Sequence, residues 1–164
     1  AHVVVVPIMD VDNVERGAGG KEGKPQDHNR DWSDAPHWPE VAAAQKRIAA
    51  LDAAGGLALF LDLHNPGPGD KAPFFYGPPD EFLPAARLAN QERFYRVAGG
   101  HLGREPLGLG KPRTSGANYD KRWRVISKNW VAAHTRDPSL VFTLETTWNS
   151  PHSRPPTWPS RAPS

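Results

Sequence analysis

Three apolar runs punctuate the chain, and each gives way to a polar residue. Val3-Val4-Val5-Val6-Pro7-Ile8 leads to Asp10, Leu57-Ala58-Leu59-Phe60-Leu61-Asp62-Leu63 leads to His64, and Leu140-Val141-Phe142-Thr143-Leu144 leads to Glu145. Short apolar runs bounded by polar and turn-forming residues predict strands covered on both faces. Between them the period changes. Pro39 opens a helical pattern that extends to residue 54, with Val41, Ala44, Ile48 and Leu51 on one side and Gly55-Gly56 as its stop. A second helix is expected over 80–97, after Pro78-Pro79 and before Gly99-Gly100. Tyr119, Trp123, Ile126 and Trp130 recur at helical spacing and predict a short amphipathic helix over 120–133.

Segments 10–33 and 103–118 carry neither period and read as loops. The first is long for a structureless connection, and such loops are commonly functional. The order strand, helix, strand, helix, helix, strand predicts an α/β fold. It would have a mostly parallel or mixed central sheet with helices on both faces, in one domain over 1–150. Residues 151–164, rich in Pro, Ser and Arg, are expected to be a disordered tail. In open α/β sheets, functional groups collect beyond the C-terminal strand ends. Asp10, His64 and Glu145 are therefore expected along one edge.

Composition narrows the picture in three ways. The absence of Cys leaves only His and carboxylates for any metal site. A net charge of +2, with acids and bases interleaved, gives no reason to expect nucleic acid. No apolar run is long enough for a membrane span. The 164 residues suit one domain or a piece of a larger one, and the immediate entry into an apolar run at Val3 favours the piece. Localisation and oligomeric state stay open.

His64 is the leading chemical candidate, because a neutral imidazole at a strand end is a good metal ligand and Asp62 lies on the same strand face to orient it. Arg30 presents a planar fork suited to a carboxylate, and the adjacent Asn29 can add an amide donor. Partial burial of Glu145 would raise its pKa toward that of a general base. Plainer readings stay open for each: a capped His, an ion pair from Arg30 to Asp27 or Asp31, and a rim Glu. The basic aromatic segment 121–130 reads as a Trp-lined core face with Lys and Arg on the solvated side; a nucleic-acid surface is the weaker alternative.

Taken in order, Asp27-His28-Asn29-Arg30-Asp31-Trp32, Leu61-Asp62-Leu63-His64 and Thr143-Leu144-Glu145-Thr146 resemble the later active-site segments of the zinc carboxypeptidase family. The resemblance implies that Asn29 and Arg30 hold a substrate's terminal carboxylate, that His64 ligates zinc and that Glu145 activates the attacking water. The family's carbonyl-polarising Arg falls at Gly20, which leaves Lys21 beside it as the available cation. Tyr119 is nearest in position to the family's mobile Tyr, although its place in the Trp123, Ile126, Trp130 stripe favours packing. The upstream His-x-x-Glu zinc motif is missing. His37-Trp38-Pro39-Glu40 matches its letters, but lies after Asn29-Arg30 and carries a Pro that breaks the helical spacing. The implied protein is a zinc-dependent carboxypeptidase-like hydrolase with an incomplete metal site, acting on a peptide or amide with a free carboxylate. The alternative is a related module that binds carboxylates without zinc.

Overall fold

The structure, a computed structural model, describes residues 2–65, 67, 70, 73–102 and 113–146. The elements are α1 (Val11–Arg16), α2 (Pro39–Gly55), β1 (Leu59–His64), β2 (Phe74–Gly77), α3 (Ala85–Leu102), β3 (Arg113–Thr114), α4 (Ser127–His134) and β4 (Leu140–Glu145). Short 3-10 turns at Gly20–Glu22, His28–Arg30, Asp80–Phe82 and Trp123–Val125 lie between them. The fold is α/β, with a mixed four-stranded sheet in the order β1-β4-β2-β3. β1 pairs with β4 and β2 with β3 in parallel; β2 and β4 are antiparallel.

Strand alternation assigns the two faces. Phe60, Asp62 and His64 of β1 stand in register with Val141, Thr143 and Glu145 of β4, and Phe74 and Tyr76 of β2 continue that face. Its deeper end joins Trp32, Val41, Ile48, Leu83, Val131 and Ala132, contributed largely by α2 and α4. The opposite face carries Phe142 and Phe75, which pack with Phe94 and Tyr95 of α3 at ring separations of 5.1–5.9 Å.

Several sequence expectations need correction. Residues 3–8 form no strand; Val3, Val4, Val5, Val6 and Ile8 are exposed and pair with no described strand. An apolar β-branched run is only locally suited to a strand, and needs a neighbouring backbone to become one. The segment 10–33 is not structureless. The Asp10 side chain accepts from Asn13 N (3.1 Å) to start α1, and Gly17 closes it at φ 67°, a left-handed conformation that favours glycine.

β1 is covered on one face only, since Leu59, Leu61 and Leu63 are exposed on the side where α3 packs with β2 and β4. α3 starts at Ala85, after a 3-10 turn, and passes through Gly99-Gly100 to Leu102. Gly weakens a helix without ending it unless the backbone turns left-handed there. The helix expected over 120–133 is a turn, a 3-10 segment and then the shorter α4. β2 and the two-residue β3 went unread because neither is long enough to display a period. Within the expected loop at 103–118, residues 103–112 lie outside the described residues, as does the expected tail at 151–164.

Candidate functional site

Paired parallel strands bring two of the candidate residues together. His64 and Glu145 are the last residues of β1 and β4 and are register partners, with Phe74 of β2 opposite Glu145. Their shared face opens into a cleft of ≈ 230 Å³, whose lining includes Lys21, Asn29, Arg30, His64, Tyr119 and Glu145. Every candidate site residue from the sequence therefore borders one space. Asp10 does not; it caps α1 instead.

His64 Nε2 lies 3.0 Å from Asp62 Oδ2, the same-face neighbour two residues back. A proton on Nε2 satisfies that carboxylate and leaves the Nδ1 lone pair of the neutral ring available. Burial favours the neutral ring, but the Asp62 hydrogen bond and the charges of Asp62 and Glu145 outweigh it, leaving the pKa above the ordinary histidine value. Asp62 is itself held by Ser127 Oγ, which donates to Oδ2 at 2.5 Å. Ser127 N donates to Asn29 Oδ1 at 3.0 Å, so the Asn29 side chain caps the first turn of α4. The Asn29 amide nitrogen consequently faces His64 Nε2 at 3.4 Å.

Glu145 is half-buried, and its Oε2 has no hydrogen-bond partner among the described residues. Burial raises its pKa above the usual carboxylate range; the nearby His64 charge opposes this, while Asp62 and Asp70 add to it. Arg30 enters from the 3-10 turn at His28–Arg30. Its Nε donates to Asp120 Oδ2 at 2.6 Å, and Nη1 stands 4.0 Å from Asp27. Its two terminal nitrogens make no hydrogen bond among the described residues and so keep their N–H groups for an incoming anion. Arg122 steadies the turn by donating to Arg30 O at 2.8 Å.

Lys21 is 74 % exposed on the rim and pairs with Asp27 at 3.4 Å. Tyr119 lies outside any helix, half-exposed, with its ring 5.4 Å from that of Tyr76. It belongs to the cleft wall rather than to the expected Trp stripe. Asp31 is buried, accepts from His37 N and Trp38 N at 3.0 and 2.8 Å, and so organises the approach to α2. His28 stacks on Trp38 (4.7 Å, 12°), and its Nδ1 is 3.3 Å from Asp10 without the alignment of a hydrogen bond.

The largest departure from the sequence reading is Lys128. Expected on a solvated face, it is 1 % exposed and lines the cleft. It donates to Ser115 Oγ and, at 3.3 Å, to Asn129 Oδ1. Asn129 in turn donates to Ser115 O at 2.9 Å and to Trp123 O at 2.7 Å. Ser127-Lys128-Asn129 are three consecutive polar residues between Ile126 and Trp130. Polar residues at those positions read as the solvated side of a helix, so the sequence carried no sign that these side chains turn inward. Asp120 gave no sign, because its partner Arg30 lies 90 positions away.

A tetrahedral zinc site takes three or more protein ligands. Among the described residues, no group of three or more His, Asp or Glu side chains is arranged to hold a metal ion. His64 offers one nitrogen of the right kind, and the described residues alone do not complete a site around it.

No family model, curated protein or solved structure matches this chain.

Proposed function

We propose that this chain carries the substrate-binding and general-base side of a metallocarboxypeptidase-like hydrolase. The observation that supports the reading is the convergence of Asn29, Arg30, His64 and Glu145, spread over more than a hundred positions, on one cleft. In this reading the substrate is a peptide or related amide with a free carboxylate. Arg30 receives that carboxylate on its terminal nitrogens, with Asp120 and Asp27 holding the guanidinium in place. Fixing one end of the substrate aligns the scissile amide with Glu145 and lowers the entropic part of the barrier.

Glu145 takes a proton from water as the water oxygen bonds to the amide carbon. It returns that proton to nitrogen as the C–N bond breaks, releasing an amine and a new carboxylate. A raised pKa matches this role, since a base must also be able to give the proton back near neutral pH. Asp62 and Ser127 act as positioning residues by fixing the His64 ring. Zinc is the cofactor in this reading, with His64 as one ligand and the others drawn from beyond the described residues.

The test is release of the C-terminal residue from an N-acyl dipeptide, with zinc added and then removed by chelator. The free acid should be cleaved and its C-terminal amide spared. Glu145→Gln should lower turnover by about a hundredfold or more, and Arg30→Ala should lower kcat/KM through both a raised KM and a lost alignment. Unchanged turnover in Glu145→Gln, or equal cleavage of acid and amide, rejects the proposal. The ligand set, with His64 alone of the three or more required among the described residues, favours a second reading, a module that captures carboxylates without catalysis. It would show Arg30-dependent binding that persists in chelator, and no turnover.

A further inference from the structure

We infer that Lys128 forms an anion-selecting inner end of the cleft, so that the preferred ligand carries two acidic groups, a carboxylate met by Arg30 and a second met by the Lys128 ammonium. This deepens the carboxylate-capture reading of the same cleft and rests on it.

Geometry carries the inference. Lys128 is almost wholly buried, yet it borders the cleft beside Ser115, Tyr76 and Thr143. Its two acceptors, the Ser115 hydroxyl and the Asn129 amide oxygen, are both neutral. An ammonium has three hydrogens, so one is left without a partner among the described residues. No carboxylate lies within ion-pair distance of it among those residues; Asp62 and Glu145 act on it only through longer-range charge. Burying an uncompensated charge is costly, and such groups are normally paired. Here no counter-ion is present among the described residues, and the cleft that Lys128 lines is where a ligand can supply one.

The walls fit that assignment. Ser115, Tyr76 and Thr143 bring hydroxyls that can donate to an oxyanion, while Ile126 and Phe74 offer apolar surface to a short alkyl spacer. A cleft of ≈ 230 Å³ suits a small acidic side chain better than a long one. Burial pushes the Lys128 pKa down to about 7, so an arriving anion would restore a charge that the fold suppresses.

The experiment is a calorimetric titration of the 164-residue chain with N-acetylglutamate, N-acetylglutamine and N-acetylglutamine amide. N-acetylglutamate should bind about tenfold or more tighter than its isostere N-acetylglutamine, since a site built for a charged partner penalises its neutral analogue. Lys128→Met should bring that ratio close to one, chiefly by weakening N-acetylglutamate. Equal affinity for the two acids in the wild type overturns the inference, and does so even if the Met variant fails to fold. A preference that survives in folded Lys128→Met overturns it as well. Should N-acetylglutamine bind no better than its amide, carboxylate capture itself fails, and this inference falls with it.

Discussion

Arg87 and Lys128 are equally buried cations at opposite ends of one helix, and they are treated in opposite ways. Arg87 reaches from α3 to the C-terminal end of α4. It donates to Asp137 Oδ1 at 2.9 Å, to Ala132 O at 2.7 Å and to Thr135 O at 2.8 Å. Its fork thus meets a carboxylate and two carbonyls at the negative end of a helix, where a cation is favoured. Lys128 sits in the first turn of the same helix, where a cation is disfavoured, with only neutral acceptors and an open cleft beside it. Burial alone therefore does not tell a structural cation from a functional one. The completeness of the partner set does.

Removing each cation should accordingly have opposite consequences. Arg87→Ala leaves Asp137 and two carbonyls unanswered and should lower stability by about 3 kcal/mol, read from urea unfolding. Lys128→Met removes a charge the fold does not compensate. It should be neutral, or stabilising by about 1–2 kcal/mol at neutral pH. A loss as large as that of Arg87→Ala would abolish the distinction between the two sites.

The pH dependence sharpens the contrast. Lys128 has a pKa near 7 in the fold against the ordinary 10.5, so the unfolded chain holds more of its proton between those values. The penalty is complete below about 7 and disappears as pH rises toward 10.5. Wild-type stability relative to Lys128→Met should therefore rise across that window, as measured by paired unfolding curves. A flat difference would mean that Lys128 is charged and compensated in the fold.

Two smaller effects concern the cleft. Asp62→Asn removes the main influence that raises the His64 pKa and leaves only the Glu145 charge to oppose burial and Lys21, so the His64 midpoint should fall in an NMR titration. An unchanged midpoint would detach Asp62 from the imidazole. Lys21→Ala breaks an exposed pair and should change stability by no more than about 0.5 kcal/mol. Any larger shift would make the rim as structural as the Arg87 site.

The parts of this molecule that were legible in the sequence are those whose cause is local. α2 announced itself through Pro39, its apolar stripe and Gly55-Gly56, and β1 and β4 through apolar runs that stop at His64 and Glu145. Residues 3–8 carried an equally strong local pattern but find no partner strand among the described residues, and pairing is a property of two segments rather than one. Asn29 and Arg30 were singled out by the hydrogen-bonding chemistry of an adjacent amide and guanidinium, and the turn at His28–Arg30 brings both to the cleft. Asp120 and Lys128 were not, because each acquires its role from residues brought to it by the tertiary fold. Asp120 meets a guanidinium from the far side of the sequence. Lys128 stands between the polar Ser127 and Asn129 in the chain, yet is buried together with Ile126, Val131 and Ala132.

The equal register of β1 and β4 also governs which length changes the protein can survive. Six consecutive pairs, from Leu59 with Leu140 to His64 with Glu145, run in step. Deleting one residue inside either strand would turn its last side chain to the opposite face and draw it about 3.3 Å along the strand axis. The imidazole and the carboxylate would then no longer share a space. A length change is therefore expected to be tolerated in the connections on either side and not inside one strand alone, which makes the two strands a matched pair of fixed-length words.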